Sequence, residues 1–301
     1  MNLADLEQRL RSARDCDHWV QALEGFFSAH DLAFGHGTDN AGDEAFWLLR
    51  HLQDWRNVDF AAPPPADLSA RALAIAQRRV TERKPLAYLL NEAWFAGLKF
   101  YVDERVLVPR SPLAEVVERG FAPWCALEPG DRVLEIGTGS GCIAIAAAHY
   151  SPDVEVHATD ISADALAVAA RNVATHGLAA RVQLFAADLF PPIDAPYRVI
   201  VSNPPYVPDA EVAALPREYR HEPVIGLASG PDGFDAAERI LRGAARRLEP
   251  DGVLLLELGA GADAFAAAHP GLPLIAIEFE RGGDGVLATT AAELEEFLRA
   301  R

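Results

Sequence analysis

The stretch Val133-Leu134-Glu135-Ile136 runs without a break into Gly137-Thr138-Gly139-Ser140-Gly141 and then into an alanine-rich segment, Cys142 to His149. No other feature constrains the chain as strongly. The apolar residues suit a buried strand, the glycines permit a sharp turn, and the alanines favour a helix. Strand, glycine turn and helix in that order form the opening unit of a ligand-binding α/β sheet. There a ligand can press against bare backbone, and the helix N-terminus offers unpaired N–H groups. A dinucleotide site would require an acidic residue about 20 positions further on, which Asp160 supplies, and glycine or alanine where this chain has Cys142. At this point the turn admits a dinucleotide site, another adenosine-bearing cofactor, or a tight structural turn.

The surrounding pattern extends the α/β reading. Past Pro123, strand-like segments near 132–136, 154–159, 182–186, 198–202, 252–257, 273–279 and 285–289 alternate with helical ones, which predicts a mostly parallel sheet covered on both faces. Ser162 is placed to cap a helix that His176-Gly177 ends. The first 92 residues differ. Apolar residues recur at helical spacing from Leu3 to about Leu52, and Gly35 to Asn40 interrupts them as a turn in which Thr38 or Asn40 can cap the next helix. A further helix runs from Asp67 or Ser69 to about Arg83, where Pro85 stops it. Between the two regions, aromatic and β-branched residues flank Val102-Asp103-Glu104-Arg105, predicting a β-hairpin. The expected organisation is a helical domain over 1–92, a hairpin linker over 93–110 and a catalytic domain over 111–301.

A formal charge of −17 argues against a protein that covers DNA or RNA with a broad basic face. Arg71, Arg78, Arg79, Arg83 and Lys84, with only Glu82 as local counter-charge, read either as a patch for RNA or an acidic protein surface or as a solvated helix face. Cys16, Cys125 and Cys142 show no metal-type spacing and read as small buried apolar residues, so neither a disulfide framework nor a metal site is expected. The N-terminus lacks a signal-like segment, and no apolar run approaches the roughly 20 residues needed to span a bilayer, so the expected location is cytoplasmic.

Three successive strands carry candidate binding groups at their C-terminal ends, where open α/β sheets take ligands. The first is the glycine turn. The second is Asp160, able to accept hydrogen bonds from ribose hydroxyls. The third is Asp188, beside Leu189, able to accept from an adenine amino group, although such an aspartate taken alone is more often a turn residue. The fourth strand ends in Asn203-Pro204-Pro205-Tyr206. Two prolines fix the backbone and remove two N–H donors, leaving a rigid turn that presents carbonyl acceptors. An amide nitrogen is a poor nucleophile because its lone pair is delocalised. Held by Asn203 and the Pro204 carbonyl, it would point that lone pair at an electrophilic methyl group, a catalysis of orientation and electrostatics. Tyr206 can stack on the planar group.

On these residues the chain resembles the seven-stranded methyltransferases with an Asn-Pro-Pro-Tyr motif. Within them it resembles the HemK-related protein glutamine methyltransferases over nearly its whole length. Gly35 to Asn40, Phe100 to Pro112 and Glu218-Tyr219-Arg220-His221-Glu222-Pro223 are similar to the branch acting on ribosomal proteins. The resemblance implies a Rossmann-like seven-stranded sheet with an N-terminal helical domain and a linking hairpin, and S-adenosylmethionine as cofactor. It implies that Glu135 and Gly137, Thr138, Gly139 and Gly141 hold the methionine part, Asp160 the ribose, Asp188 and Leu189 the adenine, and Asn203, Pro204, Pro205 and Tyr206 the glutamine, with Asn203 also touching the cofactor. The implied partner is the third large-subunit ribosomal protein or an assembly intermediate, with neither DNA nor membrane involved. Release-factor enzymes place tryptophan at the position of Leu189, so adenine packing differs here. Arg110 and Glu222 read as substrate-loop residues or as a structural ion pair. The main alternative is a nucleic-acid amino methyltransferase, since the same turn serves adenine or guanine, although no flipping or strand-capture surface is evident. A dinucleotide oxidoreductase leaves Cys142 and the Asn203 turn unexplained. A non-enzymatic assembly factor is at odds with intact Asp160 and Asn203.

Overall fold

The computed structural model describes residues 1–53 and 59–300. Residues 54–58, within the expected helical domain, and residue 301, at the end of the expected catalytic domain, lie outside them. The chain divides into two compact units, Met1–Glu92 with Pro216–His221, and Ala93–Leu215 with Glu222–Arg301.

The first unit contains α1 (Leu3–Ser12), α2 (Cys16–Ser28), α3 (Ala41–Leu52), α4 (Ala66–Glu82) and α5 (Leu86–Leu90). Asn2, Asp15 and Asn40 cap the first three by accepting N–H groups of the opening turn. Trp19, Leu23, Phe27 and Leu48 form its interior. Arg79 corrects the expectation of a basic surface patch, because its side chain is fully buried. Its Nε donates to Glu44 at 2.9 Å, its Nη2 to the Ala33 carbonyl at 2.8 Å and its Nη1 to Glu218 at 3.3 Å. Arg83 Nε also reaches Glu218, at 2.8 Å. A local reading of Arg78–Lys84 could not anticipate this, because one counter-charge lies 35 residues away and the other 139.

The second unit opens with a hairpin, β1 (Ala93–Phe95) and β2 (Leu98–Phe100). It turns at Ala96-Gly97, not at Val102–Arg105 as the sequence suggests. A two-residue hairpin turn that matches strand twist needs positive φ at both central positions, and Ala96 and Gly97 have φ of 48° and 70°. Val102–Arg105 forms a separate turn, in which Asp103 holds Arg105 and its carboxyl is drawn down to about 2 by that guanidinium. After α6 (Leu113–Glu118) follow β3 (Arg132–Ile136), α7 (Cys142–Tyr150), β4 (Glu155–Asp160), α8 (Ala163–Thr175), β5 (Val182–Ala186) and β6 (Tyr197–Ser202). The chain continues through α9 (Asp209–Val212), α10 (Asp235–Ala244), β7 (Leu248–Glu257), α11 (Ala262–Ala268), β8 (Ile275–Ala276), β9 (Val286–Thr290) and α12 (Ala291–Arg299).

The sheet order is β5-β4-β3-β6-β7-β9-β8, with β9 antiparallel to both its neighbours and the pairs from β5 through β7 parallel. This is the expected seven-stranded Rossmann-like sheet. Side chains alternate between its faces. Val133, Val199, Val201 and Leu255 pack with Ile143 and Ile145 of α7, while Leu134, Ile200, Leu254 and Leu256 pack with Ile240 and Leu294 of α10 and α12. The strand expected over 273–279 shrinks to two exposed residues at the sheet edge, beside Pro273, which has no N–H to donate. Connections run outward from β3 to β4 and β5, then return to place β6 on the other side of β3. The C-terminal ends of β3 and β6 therefore flank the point where strand order reverses, the position at which such sheets bind ligands.

Candidate active site

A cleft of about 370 Å³ opens there, within the second unit; small-molecule sites commonly span ~300–1,000 Å³. Glu135, Gly137, Thr138, Gly139, Asp160, Asp188, Leu189, Asn203, Pro204 and Pro205 all line it. Gly141 and Tyr206 do not. Gly141 starts α7 with φ of 81°, and a Cβ there would meet the Ala169 side chain at 3.3 Å, so it serves the packing of α7 on α8. The Tyr206 ring lies against Gly259, where an added Cβ would come within 3.1 Å of it.

The glycine turn is largely satisfied from within, although the N–H groups of Ser140, Cys142 and Ile143 have no backbone partner among the described residues. The N–H groups of Gly137 and Thr138 both donate to the Thr159 carbonyl at 2.9 Å, and Gly139 N–H donates to Asp160 Oδ2 at 2.9 Å. Asp160 Oδ1 accepts Ser162 N–H at 2.8 Å, which fixes the carboxylate at the mouth of the cleft. Glu135 reaches under the turn from the apolar face of β3 and accepts both the Thr138 hydroxyl and Ala144 N–H. One N–H of the opening turn of α7 is thus taken by a carboxyl of the preceding strand, not left open as the sequence motif alone suggests. Complete burial pushes the Glu135 carboxyl up to about 8. The cleft nevertheless has a cradle. Gly137 and Gly139 have φ of 73° and 54°, and a Cβ built on either meets no atom within 4 Å, so bare backbone faces open space.

The turn after β6 has the opposite character. Among the described residues, neither the Pro204 nor the Pro205 carbonyl has a backbone N–H partner, and the Asn203 amide is engaged by no other side chain. Pro204 and Pro205 bring no N–H of their own. The residues that line this wall thus carry acceptors with no partner among the described residues.

On another side, Asp188 pairs with Arg239 at 2.7 Å, and both are about half exposed. Leu189 adopts φ of 73°, unusual for a branched residue, while its carbonyl accepts the Thr159 hydroxyl. The segment Arg105–Ser111 also lines the cleft. Glu222 holds this segment by accepting Val108 N–H at 3.0 Å and Arg110 Nη2 at 2.9 Å. Two residues escape sequence reasoning. Ser111 donates its hydroxyl to Glu257, the last residue of β7, and burial pushes that carboxyl up to about 7. The available signal is Glu257 itself, a carboxyl closing the apolar run Val253-Leu254-Leu255-Leu256. Among the described residues, no group of three or more His, Cys, Asp or Glu side chains is arranged to hold a metal ion. Cys16, Cys125 and Cys142 carry free thiols, and all three are buried, as the sequence suggests.

The family model described as "Methyltransferase small domain" matches residues 125–216. A protein of Bordetella pertussis named ribosomal protein uL3 glutamine methyltransferase is 45% identical over 294 residues, covering 95% of this chain and 97% of that one. One of the same name from Neisseria gonorrhoeae is 47% identical over 265 residues, covering 86% of this chain and 88% of its own. Among solved structures, the hMettl16 catalytic domain in complex with a 3′UTR hairpin is similar with a TM-score of 0.51 at 16% identity, covering 82% of this chain and 90% of that one. That likeness concerns the fold alone.

Proposed function

The chain belongs to the ribosomal protein uL3 glutamine methyltransferases, and from that premise we propose that its cleft binds S-adenosylmethionine and that Asn203, Pro204 and Pro205 hold the target glutamine. The protein methylates the side-chain amide nitrogen of a glutamine in uL3. The observation that carries the site assignment is the contrast in the cleft wall, where a bare glycine cradle and a set of unengaged acceptors line the same space.

The residues fit the cofactor. Gly137 and Gly139 leave room for a ligand against the backbone, Asp160 keeps lone pairs beyond its two N–H bonds for ribose hydroxyls, and Asp188 and Leu189 border the place for adenine. When bound, the cofactor supplies an electrophilic methyl group on a sulfonium centre. The protein's part is positional. The Asn203 side-chain oxygen and the Pro204 carbonyl each accept one N–H of the glutamine amide, which turns its lone pair toward the methyl group and draws it out of conjugation. Tyr206 braces the turn from behind by packing on Gly259. A ribosomal substrate supports a cytoplasmic location and a free or assembling uL3 as partner.

Incubation with methyl-labelled cofactor and hypomethylated ribosomal material, followed by peptide mapping, tests the reading. Label on a uL3 glutamine is expected. Label on RNA instead would replace it with the nucleobase alternative.

A further inference from the structure

We propose that Ser111 and Glu257 form a proton exit from the transfer site, in which the Ser111 hydroxyl takes the proton the methylated amide must lose and passes its own to Glu257. The inference rests on the functional reading above, since it concerns the glutamine nitrogen.

The chemistry creates the need. As the nitrogen bonds to the methyl carbon, the methyl–sulfur bond breaks and its electron pair stays on sulfur. The nitrogen then carries a positive charge and two hydrogens. One N–H bond must break, leaving its electrons on nitrogen to restore the neutral amide. The acceptors that orient the amide are carbonyl oxygens, which accept hydrogen bonds but are too weakly basic to keep a proton.

The carboxyl groups around the cleft differ in how they are committed. Asp160 uses both oxygens on backbone N–H groups, Asp188 pairs with Arg239, Glu222 pairs with Arg110, and Asp235, at the start of α10 beside Gly230, receives no hydroxyl from a cleft-lining residue among those described. Glu135 does accept a cleft-lining hydroxyl, that of Thr138, but the same oxygen holds Ala144 N–H and belongs to the glycine turn. Glu257 stands one step beyond the Ser202–Leu256 register pair, at the level of Asn203 just past the end of the neighbouring strand. Its hydrogen-bond donor is Ser111.

Ser111 has the valence for a relay. A hydroxyl has one donor and two acceptor positions. Its proton goes to Glu257, and one lone pair accepts Leu113 N–H at 3.1 Å. One lone pair remains, on a residue that lines the same cleft as Asn203. The step balances: the amide proton moves to Ser111 Oγ, the original Ser111 proton moves to Glu257 Oε2, and serine and amide end neutral with Glu257 as the acid. The charged group acting on Glu257 is Arg110, itself bound to Glu222, and burial outweighs it, bringing the carboxyl to about 7, where it can both take and release a proton.

The test is kcat against pH for the native enzyme, Glu257→Gln and Ser111→Ala, with uL3 and S-adenosylmethionine saturating and cofactor affinity measured separately by calorimetry. The native kcat should rise with pH through about 7 and level off. Both variants should lose roughly 10²-fold or more at the plateau, the scale of general-base assistance, and Glu257→Gln should lack the rise. A carboxyl-carbon NMR titration of the native protein without substrate should show a glutamate titrating near 7 that disappears in Glu257→Gln. The rise should persist in Glu135→Gln. Native plateau activity in Glu257→Gln, a rise that survives there, or a loss confined to KM and cofactor affinity would overturn the relay alone. A native enzyme that leaves uL3 unlabelled would overturn the functional reading and the relay with it.

Discussion

The two turns that line the cleft are built on opposite principles. In the glycine turn after β3 most N–H groups are taken internally: Gly137 and Thr138 donate to Thr159, Gly139 to Asp160, and Ala144 to Glu135, while those of Ser140, Cys142 and Ile143 have no backbone partner among the described residues. In the turn after β6 the two prolines contribute no N–H, and the Asn203 amide and the proline carbonyls are left unengaged among the described residues. A turn that takes up most of its own N–H groups binds mainly by shape. An open one presents acceptors whose partners must come from a substrate. The division of labour between holding a cofactor and activating an amide follows from where the chain satisfies its own hydrogen bonds.

Asn203→Ala separates the two turns most strongly. Removing one orienting acceptor should lower kcat by roughly 10²–10³-fold while leaving cofactor affinity measured by calorimetry nearly unchanged. Next in size is Asp160→Ala. Hydrogen bonds to charged groups contribute ~1.5–3 kcal/mol, so cofactor Kd should rise by about 10- to 100-fold while kcat at saturating cofactor is largely kept.

Glu135→Gln sharpens the claim that the glycine turn is closed around a buried carboxyl. Burial raises that carboxyl from 4.5 to about 8, so the folded protein holds a proton that the unfolded chain releases. The resulting stabilisation is full below about 4.5 and is lost as pH rises through about 8. The variant stays neutral throughout, so its Tm should gain on that of the native protein by a few degrees as pH is raised across this window; parallel Tm curves would contradict the assignment. The smallest effect belongs to Arg239→Ala. Its pair with Asp188 is about half exposed, where ion pairs contribute ~0–1 kcal/mol, so cofactor affinity should shift by no more than about fivefold in a titration.

Much of the fold is legible because its signals are local. The apolar run of β3, the glycines after it and the Ser162 cap each state their structure within a few residues, and the cap does accept Ala165 N–H. Signals that depend on distant partners are not legible. Arg79 reads as a surface charge until Glu44 and Glu218 are brought to it. The sequence puts the hairpin turn several residues late because Ala96 gives no hint of its positive φ. Glu257 gains its character from the burial that the fold imposes and from the Ser111 that the fold brings to it across 146 residues. Tyr206 reads from sequence as a stacking surface for the substrate, whereas its ring packs on Gly259 and does not line the cleft.

The most direct test of the division between the turns is to measure cofactor Kd and saturated kcat on Asp160→Ala and Asn203→Ala side by side. A crossed result is expected, with Kd weakened only in the first and kcat lowered only in the second. Equal losses of both quantities in both variants would contradict it.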